Sequence, residues 1–340
     1  MATFNPNQAD TAILEELERT KWKRVGKELV KDWRLYILLV PMLVFLITMK
    51  YFPIGDIVSG FKRTQTGVTS TEWYGLYWAK TIFTGNYSGE FWRAFRNTFV
   101  NSMYGLIFGF PIPIFIALLF SEIKNVKYRS IIQVLVYLPH FLSTVVLTSI
   151  IALWCAQGNT TTGNEPGLLF RVFDALNLFR EGENQQSVLK IARYFRPIYQ
   201  VSGIWQGSGY SSIVYFAAVL AISPTSYEAA RIDGASKMQQ IRYVTFPGMA
   251  PTLTIMLIMR IGQILNIGYE KIILLYEPEA YETADVVSSF VYRYSGKQEG
   301  YTDARPQMGV IADLMNSLIA MCLVLGANAI SRRISDTTLF

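Results

Sequence analysis

Apolar residues in this chain form long continuous runs, which are separated by polar and charge-rich stretches. Each run is close to the roughly 20 residues that a helix needs to cross a bilayer. The runs do not alternate apolar with polar positions, so the pattern predicts helices and not the strands of a barrel. We therefore predict an all-α polytopic membrane protein with a transmembrane domain of 35–330. The six predicted spans are 35–52, 98–120, 130–154, 198–222, 253–276 and 310–330.

Basic residues next to the runs indicate the orientation of the chain. Lys124, Lys127 and Arg129 occupy the short loop after the second run. Short basic loops stay on the cytoplasmic side of a membrane. Both termini are therefore predicted to be cytoplasmic, as tails of 1–34 and 331–340. The net charge of +6 is explained largely by such flanking residues, so it does not indicate nucleic-acid binding.

Composition excludes several classes of protein. Only 16% of the residues are charged, whereas soluble domains carry about 25%. The single histidine, His140, rules out a multi-histidine metal centre. Cys155 falls at the end of one predicted span and Cys322 inside another, so neither a disulfide nor a zinc site is expected. The sequence contains no Gly-x-x-x-x-Gly-Lys-Ser/Thr phosphate loop, so no ATP site is expected in this chain. No cofactor, metal or catalytic residue is predicted, and the chain is not expected to be an enzyme.

The loop between the fourth and fifth runs, 227–247, has the most informative sequence. Glu228-Ala229-Ala230 is strong helix-forming sequence, and Glu228 is predicted in the first turn, where its charge complements the helix dipole. Gly234 can reverse the chain without a Cβ penalty. A second short helix is predicted over 237–245, ended by Pro247. The loop is thus predicted to be a helix-turn-helix on the cytoplasmic face.

This loop resembles the EAA loop of binding-protein-dependent ABC importer permeases. In that family Glu-Ala-Ala is followed by a glycine four residues later and by Ile-x-Leu-Pro ten residues further on. Val244 and Phe246 replace the usual Ile and Leu, and both keep an apolar contact. The residues of this loop to which we assign a role in coupling are Glu228, Ala229, Ala230, Asp233, Gly234 and Pro247.

Further stretches resemble the LplB-type branch of this family, which comprises permeases for oligosaccharides and polysaccharide fragments related to the maltose permeases. The similarity covers nearly everything from Trp33 onward. It departs from the branch at 305–308, before the sixth span. The stretches that resemble the branch are 139–143, 203–207, 264–270 and 281–286.

The resemblance implies a type I ABC importer permease fold and an ATP-driven oligosaccharide importer in a bacterial cytoplasmic membrane. It implies a heterodimer with a second, homologous permease subunit, and two ATPase subunits that bind ATP and magnesium. It also implies an extracytoplasmic sugar-binding protein and an oligosaccharide substrate. In such a transporter the 227–247 loop docks on the ATPase and transmits its closure.

Polar residues within the fourth and fifth runs are candidates for the substrate path. Gln263, Asn266 and Glu270 are three and four residues apart, so a continuous helix would place them on one face, with Tyr269 beside them. Trp205 and Gln206 form a second group. Amides around an aromatic ring suit a sugar, but hydrogen bonds between helices explain such residues equally well.

Two other classes of function remain possible on sequence grounds. An ion-coupled secondary transporter of a polar small molecule could use Arg260, Glu270 and Asp313. Such transporters often contain inverted repeats, and no clear repeat is visible here. A membrane enzyme is less well supported, because no convincing nucleophile–base pair is present.

Overall fold

The computed structural model describes residues 30–63, 72–158, 163–296 and 304–334. The two predicted tails, 1–34 and 331–340, lie largely outside the described residues. The chain divides into one unit that ends at Ser59 and a second unit from Gly60 onward. In the first unit helix α1, Trp33–Leu46, is followed by a π-helix, Ile47–Tyr51, and by a 3₁₀-helix that begins at Phe52.

In the described residues of the second unit, the regular structure is helical apart from a two-stranded antiparallel pair, β1 (Lys62–Arg63) and β2 (Glu72–Trp73). Its α-helices are α2 (Tyr77–Phe83), α3 (Ser88–Ile107), α4 (Pro111–Glu122), α5 (Val126–Tyr137), α6 (Thr144–Cys155), α7 (Leu168–Ala175), α8 (Ala192–Leu220), α9 (Pro224–Ile232), α10 (Lys237–Gln240), α11 (Phe246–Gly262), α12 (Tyr269–Leu275), α13 (Tyr281–Ala284), α14 (Val287–Tyr294) and α15 (Pro306–Ile334).

Four helical segments in the described part of the chain are long and apolar enough to cross a membrane, and two bent pairs raise this number to as many as six. The bends are 89° between α5 and α6, and 67° between α8 and α9. The four single segments are Trp33–Phe61, Ser88–Glu122, Lys237–Gly262 and Pro306–Ile330.

The fifth predicted span is not one helix, and that prediction was wrong. Helix α11 ends at Gly262 and α12 begins only at Tyr269, so residues 263–268 form a break. Turn hydrogen bonds close the end of α11, with the backbone N–H of Gln263 donating to the carbonyl of Arg260 at 3.2 Å. Glycines at both edges of the break, Gly262 and Gly268, lower the helix propensity there.

Among the described residues, three buried clusters hold the second unit together. In the first, α6, α8 and α12 pack around side chains such as Ile151, Phe195 and Ile272. The second joins α2, α3, α14 and α15 around Phe91 and Phe290. The third lies between α4, α8 and α11. Because α8 contributes to two of these clusters, its position is fixed at both ends.

A buried set of charges, the Asp285 cluster, ties α3 to α14. The Arg293 guanidinium donates to both carboxylate oxygens of Asp285, at 2.8 and 2.9 Å. Ser289 Oγ donates to Asp285 Oδ1 at 2.8 Å. Arg93 lies 3.4 Å from Asp285, and Glu90 lies 3.6 Å from Arg293. Burial alone would lower the pKa of Arg293, but the hydrogen bonds and charge of Asp285 outweigh it and raise that pKa.

Candidate functional site

The 227–247 loop is a helix-turn-helix built by two local capping motifs. At the end of α9 the N–H of Gly234 donates to the Arg231 carbonyl at 3.0 Å, and the N–H of Ala235 donates to the Ala230 carbonyl at 2.9 Å. This is a Schellman motif, and Gly234 has the left-handed φ of +77° that it requires. Ser236 then begins α10 with a capping box, in which its side chain and that of Gln239 each accept from the other's backbone N–H.

Two details of the loop differ from the sequence prediction. Helix α9 begins at Pro224, so Glu228 lies in the second turn, beyond the reach of the N-terminal dipole assumed for it. Pro247 does not end a helix, because α10 runs through a π-helix, Ile241–Thr245, into α11. A π-turn shifts the hydrogen-bond pattern by one residue just before the proline, which has no N–H to offer.

The surface of this loop exposes apolar side chains. Ile232, Met238 and Tyr243 are 87%, 72% and 68% exposed. The same loop also borders a groove of about 310 Å³, and Glu228 and Arg231 are among the residues that line it. These side chains offer apolar surface that another protein could bury.

Internal contacts position the loop against the rest of the second unit. The hydroxyls of Tyr227 and Thr245 lie 3.1 Å apart and join α9 to the π-helix. Lys237 forms a 2.6 Å ion pair with Glu122 at the end of α4. The loop is therefore held from both sides, while its apolar side chains remain exposed.

A cavity of about 340 Å³ lies between α3, α8 and α11, next to the break in the fifth span. Its polar side chains are mostly amides and hydroxyls. Residues on its wall include Asn101, Ser102, Gly105, Gly109, Tyr199, Gln200, Gly203, Gln206, Ser208, Ser211, Arg260, Gln263, Asn266 and Lys271. A concave space of this size with a few convergent polar groups is the usual form of a small-molecule site.

The cavity brings together some of the predicted substrate-path residues and leaves others out. Gln206, Gln263 and Asn266 line it. Trp205 and Glu270 are exposed and do not line it, and Tyr269 instead stacks on Tyr292 with ring centroids 5.4 Å apart. The single helical face expected for 263–270 does not exist, because the helix is broken at that point.

Several residues of the cavity wall were not among the predicted substrate-path residues, and Asn101, Gln200, Arg260 and Lys271 are four of them. Asn101 comes from α3 and Gln200 from α8, and Gln200 Nε2 donates to the Asn101 carbonyl at 2.8 Å. Arg260 and Lys271 come from the two sides of the break. Cations within an apolar run are a signal visible in the sequence. The meeting of α3 with α8 depends on contacts between residues about a hundred positions apart, which periodicity does not reveal.

One continuous helical element connects the loop with the cavity. The segment Lys237–Gly262 is 26 residues long, which corresponds to about 39 Å at 1.5 Å per residue. Its residues 237–247 belong to the loop, and its last turn carries Arg260 to the cavity wall. A single helical segment therefore joins the loop to the cavity wall.

Comparison with known proteins agrees with this arrangement. Residues 109–335 match the family described as binding-protein-dependent transport system inner membrane component, and the chain belongs to this family. Protein LplB of Bacillus subtilis (strain 168) is 30% identical over 337 residues, which cover 98% of this chain and 99% of LplB. The polygalacturonan/rhamnogalacturonan transport system permease protein YteP, from the same strain, is 30% identical over 95% of both chains.

A solved structure is also similar along nearly the whole chain. It is a crystal structure of a bacterial ABC transporter involved in the import of the acidic polysaccharide alginate, with 35% identity and a TM-score of 0.78. The match covers 92% of this chain and 100% of that one. The fold is thus that of an all-α polytopic type I ABC importer permease, and the chain is an integral membrane transport subunit.

Proposed function

We propose that this chain is a permease subunit of an ATP-driven importer that moves oligosaccharides, including polysaccharide fragments, across the bacterial cytoplasmic membrane. The substrate class follows relatives named for the transport of polygalacturonan, rhamnogalacturonan and alginate. Both termini and the 227–247 loop would face the cytoplasm, in agreement with the basic loop at Lys124, Lys127 and Arg129.

The observation that supports this proposal best is the helical connection between loop and cavity. An ATPase subunit would bind the exposed side chains of Ile232, Met238 and Tyr243. It would thereby contact one end of the Lys237–Gly262 helix. Its closure would shift the other end, where Gln263 borders the cavity. Transport would then alternate between states in which the cavity opens to opposite sides of the membrane.

The transporter would be assembled from several subunits. Two ATPase subunits would bind ATP and magnesium, and a second, homologous permease subunit would complete the path. A structure of the alginate transporter is described as a complex with a periplasmic protein bound to an alginate pentasaccharide. By analogy, an extracytoplasmic sugar-binding protein would deliver the oligosaccharide to this chain.

The energy source is tested by uptake into vesicles that contain the assembled transporter. Uptake should require ATP and should survive a protonophore that collapses the proton gradient. An ion-coupled secondary transporter would give the opposite result, with uptake abolished by the protonophore while ATP stays high. That outcome would refute the proposed function.

The substrate path is tested by a matched pair of truncations. Asn266 lines the cavity, whereas neighbouring Tyr269 stacks on Tyr292 and does not line it. If the cavity binds sugar, Asn266→Ala should lower sugar-stimulated ATPase activity severalfold, since a neutral hydrogen bond contributes about 0.5–1.5 kcal/mol. Tyr269→Ala should lower the yield of assembled complex first. Equal losses of assembly in both variants would show that Asn266 serves helix packing.

A further inference from the structure

Two cationic side chains approach the cavity from opposite sides of the break in the fifth span. Arg260 lies in the last turn of α11, and a Cβ added at Gly109 would lie 3.4 Å from its Nη2. Lys271 Nζ lies 3.3 Å from the carbonyl oxygen of Tyr199, and a Cβ added at Gly203 would lie 3.3 Å from it. Glycines therefore leave room for both head groups beside the cavity, where Lys271 is half-buried and Arg260 is exposed.

The described residues that line this cavity include no acidic side chain. Among the residues that the structure describes, no carboxylate forms an ion pair with Arg260 or Lys271. Glu270 adjoins Lys271 in sequence but is exposed and outside the cavity wall. Lys271 donates to the Tyr199 carbonyl and lies 5.0 Å over the Tyr199 ring, but neither contact neutralises its charge. Cations within membrane spans either pair with another group or mark a substrate path. Two cations without an acidic counterpart therefore favour an anionic ligand.

The neutral part of the wall also has unused hydrogen-bonding groups. Asn101 is 1% exposed, and within the described chain neither its side-chain nitrogen nor its oxygen has a hydrogen-bond partner. Ser102 Oγ likewise has none in the described residues. Buried polar atoms are nearly always paired, so these neutral atoms are available for hydrogen bonds to hydroxyl groups of a ligand in the cavity.

We propose that the cavity takes an acidic oligosaccharide, with Arg260 and Lys271 contacting carboxylates of its uronate units and Asn101 contacting hydroxyls. This inference rests on the proposed function and makes its substrate class specific. Arginine suits the carboxylate because its planar fork can donate two parallel hydrogen bonds, whereas lysine acts as a point charge. An anionic lipid headgroup shares this chemistry, and the experiment separates the two sources.

The test measures binding to the assembled, nucleotide-free complex without its binding protein, in nanodiscs of zwitterionic lipid. The probes are a short oligogalacturonate and the same oligosaccharide after reduction of its carboxyl groups to alcohols. Wild type should prefer the acidic probe. Arg260→Gln and Lys271→Gln should each weaken binding of the acidic probe at least about tenfold and binding of the reduced probe less than about twofold. Arg260→Lys should retain part of the preference.

A matched control removes a cation elsewhere. Lys80 is exposed on α2 and outside the cavity wall, so Lys80→Gln should leave the preference unchanged. Equal binding of both probes by wild type would overturn the inference, and so would an equal loss for both probes in the Gln variants. The measurement is repeated in nanodiscs that contain anionic lipid. An effect of the Gln variants that appears only there would assign the cations to headgroups and would also overturn the inference.

Uptake separates failure of this inference from failure of the proposed function. The same two probes are offered, with the binding protein, to vesicles containing the complete transporter. ATP-dependent uptake of the reduced probe without preference for the acidic one would retain an oligosaccharide importer and refute the acidic substrate. ATP-independent uptake of both probes would refute the proposed function itself.

Discussion

The Asp285 cluster and the 227–247 loop lie at opposite ends of helix α8, and their polar groups are paired in different ways. In the cluster, Asp285 is fully buried and its carboxylate accepts from Ser289 and Arg293. In the loop, Glu228 is exposed and forms no ion pair with any residue that the structure describes.

The difference separates charged groups that stabilise the fold of this chain from charged groups that are free to bind another protein. Removing one partner of a buried ion pair leaves an uncompensated charge, which is costly. Replacing an exposed carboxylate changes the stability of its own chain only a little. Substitutions in the cluster should therefore change stability, and substitutions in the loop should change coupling.

The largest effect is expected from Asp285→Asn. The Arg293 side chain is 3% exposed, so the substitution leaves its charge buried with its main partner gone. We expect a loss of about 3–5 kcal/mol in the free energy of unfolding, seen as a lower Tm and a lower yield of assembled complex.

The matched control for Asp285→Asn is Glu165→Gln, which breaks an ion pair with Arg171. The side chains of Glu165 and Arg171 are 81% and 53% exposed. Exposed pairs contribute about 0–1 kcal/mol, so this variant should keep a nearly normal Tm. Similar Tm values for the two variants would contradict the structural role of the cluster.

A smaller effect on stability is expected from Gly234→Val. A side chain at φ = +77° is strained, which costs about 1–2 kcal/mol, but no atom within 4 Å would clash with an added Cβ. The protein should therefore reach the membrane, while stimulation of ATPase activity by substrate and its binding protein falls because the turn of the loop is distorted.

Gly182→Val provides the control for backbone strain alone. Gly182 has φ = +81° with open space around it, and it lies outside the loop. The two valine variants should lose similar stability, but only Gly234→Val should lose coupling. Normal coupling in Gly234→Val would refute the assignment of this loop as the element that couples to the ATPase subunits.

Sequence predicted the parts of the molecule that depend on neighbouring residues. The turn at Gly234 follows from local backbone chemistry, and the structure has the left-handed conformation there. The break at 263–268 interrupts an apolar run whose composition continues across it, so hydrophobicity alone predicted one helix. The cavity was not predicted as a whole, because Asn101, Gln200 and Arg260 meet only through packing between distant helices.

Glu228→Lys should change stability by no more than about 0.5 kcal/mol, because exposed positions away from special contacts tolerate substitution. It reverses a charge in the groove of the 227–247 loop. We therefore expect normal assembly of the permease pair but weaker association with the ATPase subunits, measured by co-purification. Glu181→Lys reverses an exposed charge outside this groove and should not weaken that association. Loss of association in both variants would point to a general effect of charge.

The smallest effect concerns the exposed Lys190–Glu279 ion pair, whose Nζ and Oε1 atoms lie 3.1 Å apart. A backbone hydrogen bond at Glu279 and then the hydrogen bond from Lys190 lower the pKa of Glu279 below its usual value of 4.5. A lowered carboxylate pKa adds stability at pH values above 4.5, and this stability is lost as the pH falls through the folded-state pKa. Thus wild type should have a slightly higher Tm than Glu279→Gln at pH 6, and the difference should shrink below pH about 4. A difference in Tm that grows on acidification would contradict the stabilising role of this pair. A difference in Tm as large as the one caused by Asp285→Asn would remove the contrast between buried and exposed charges.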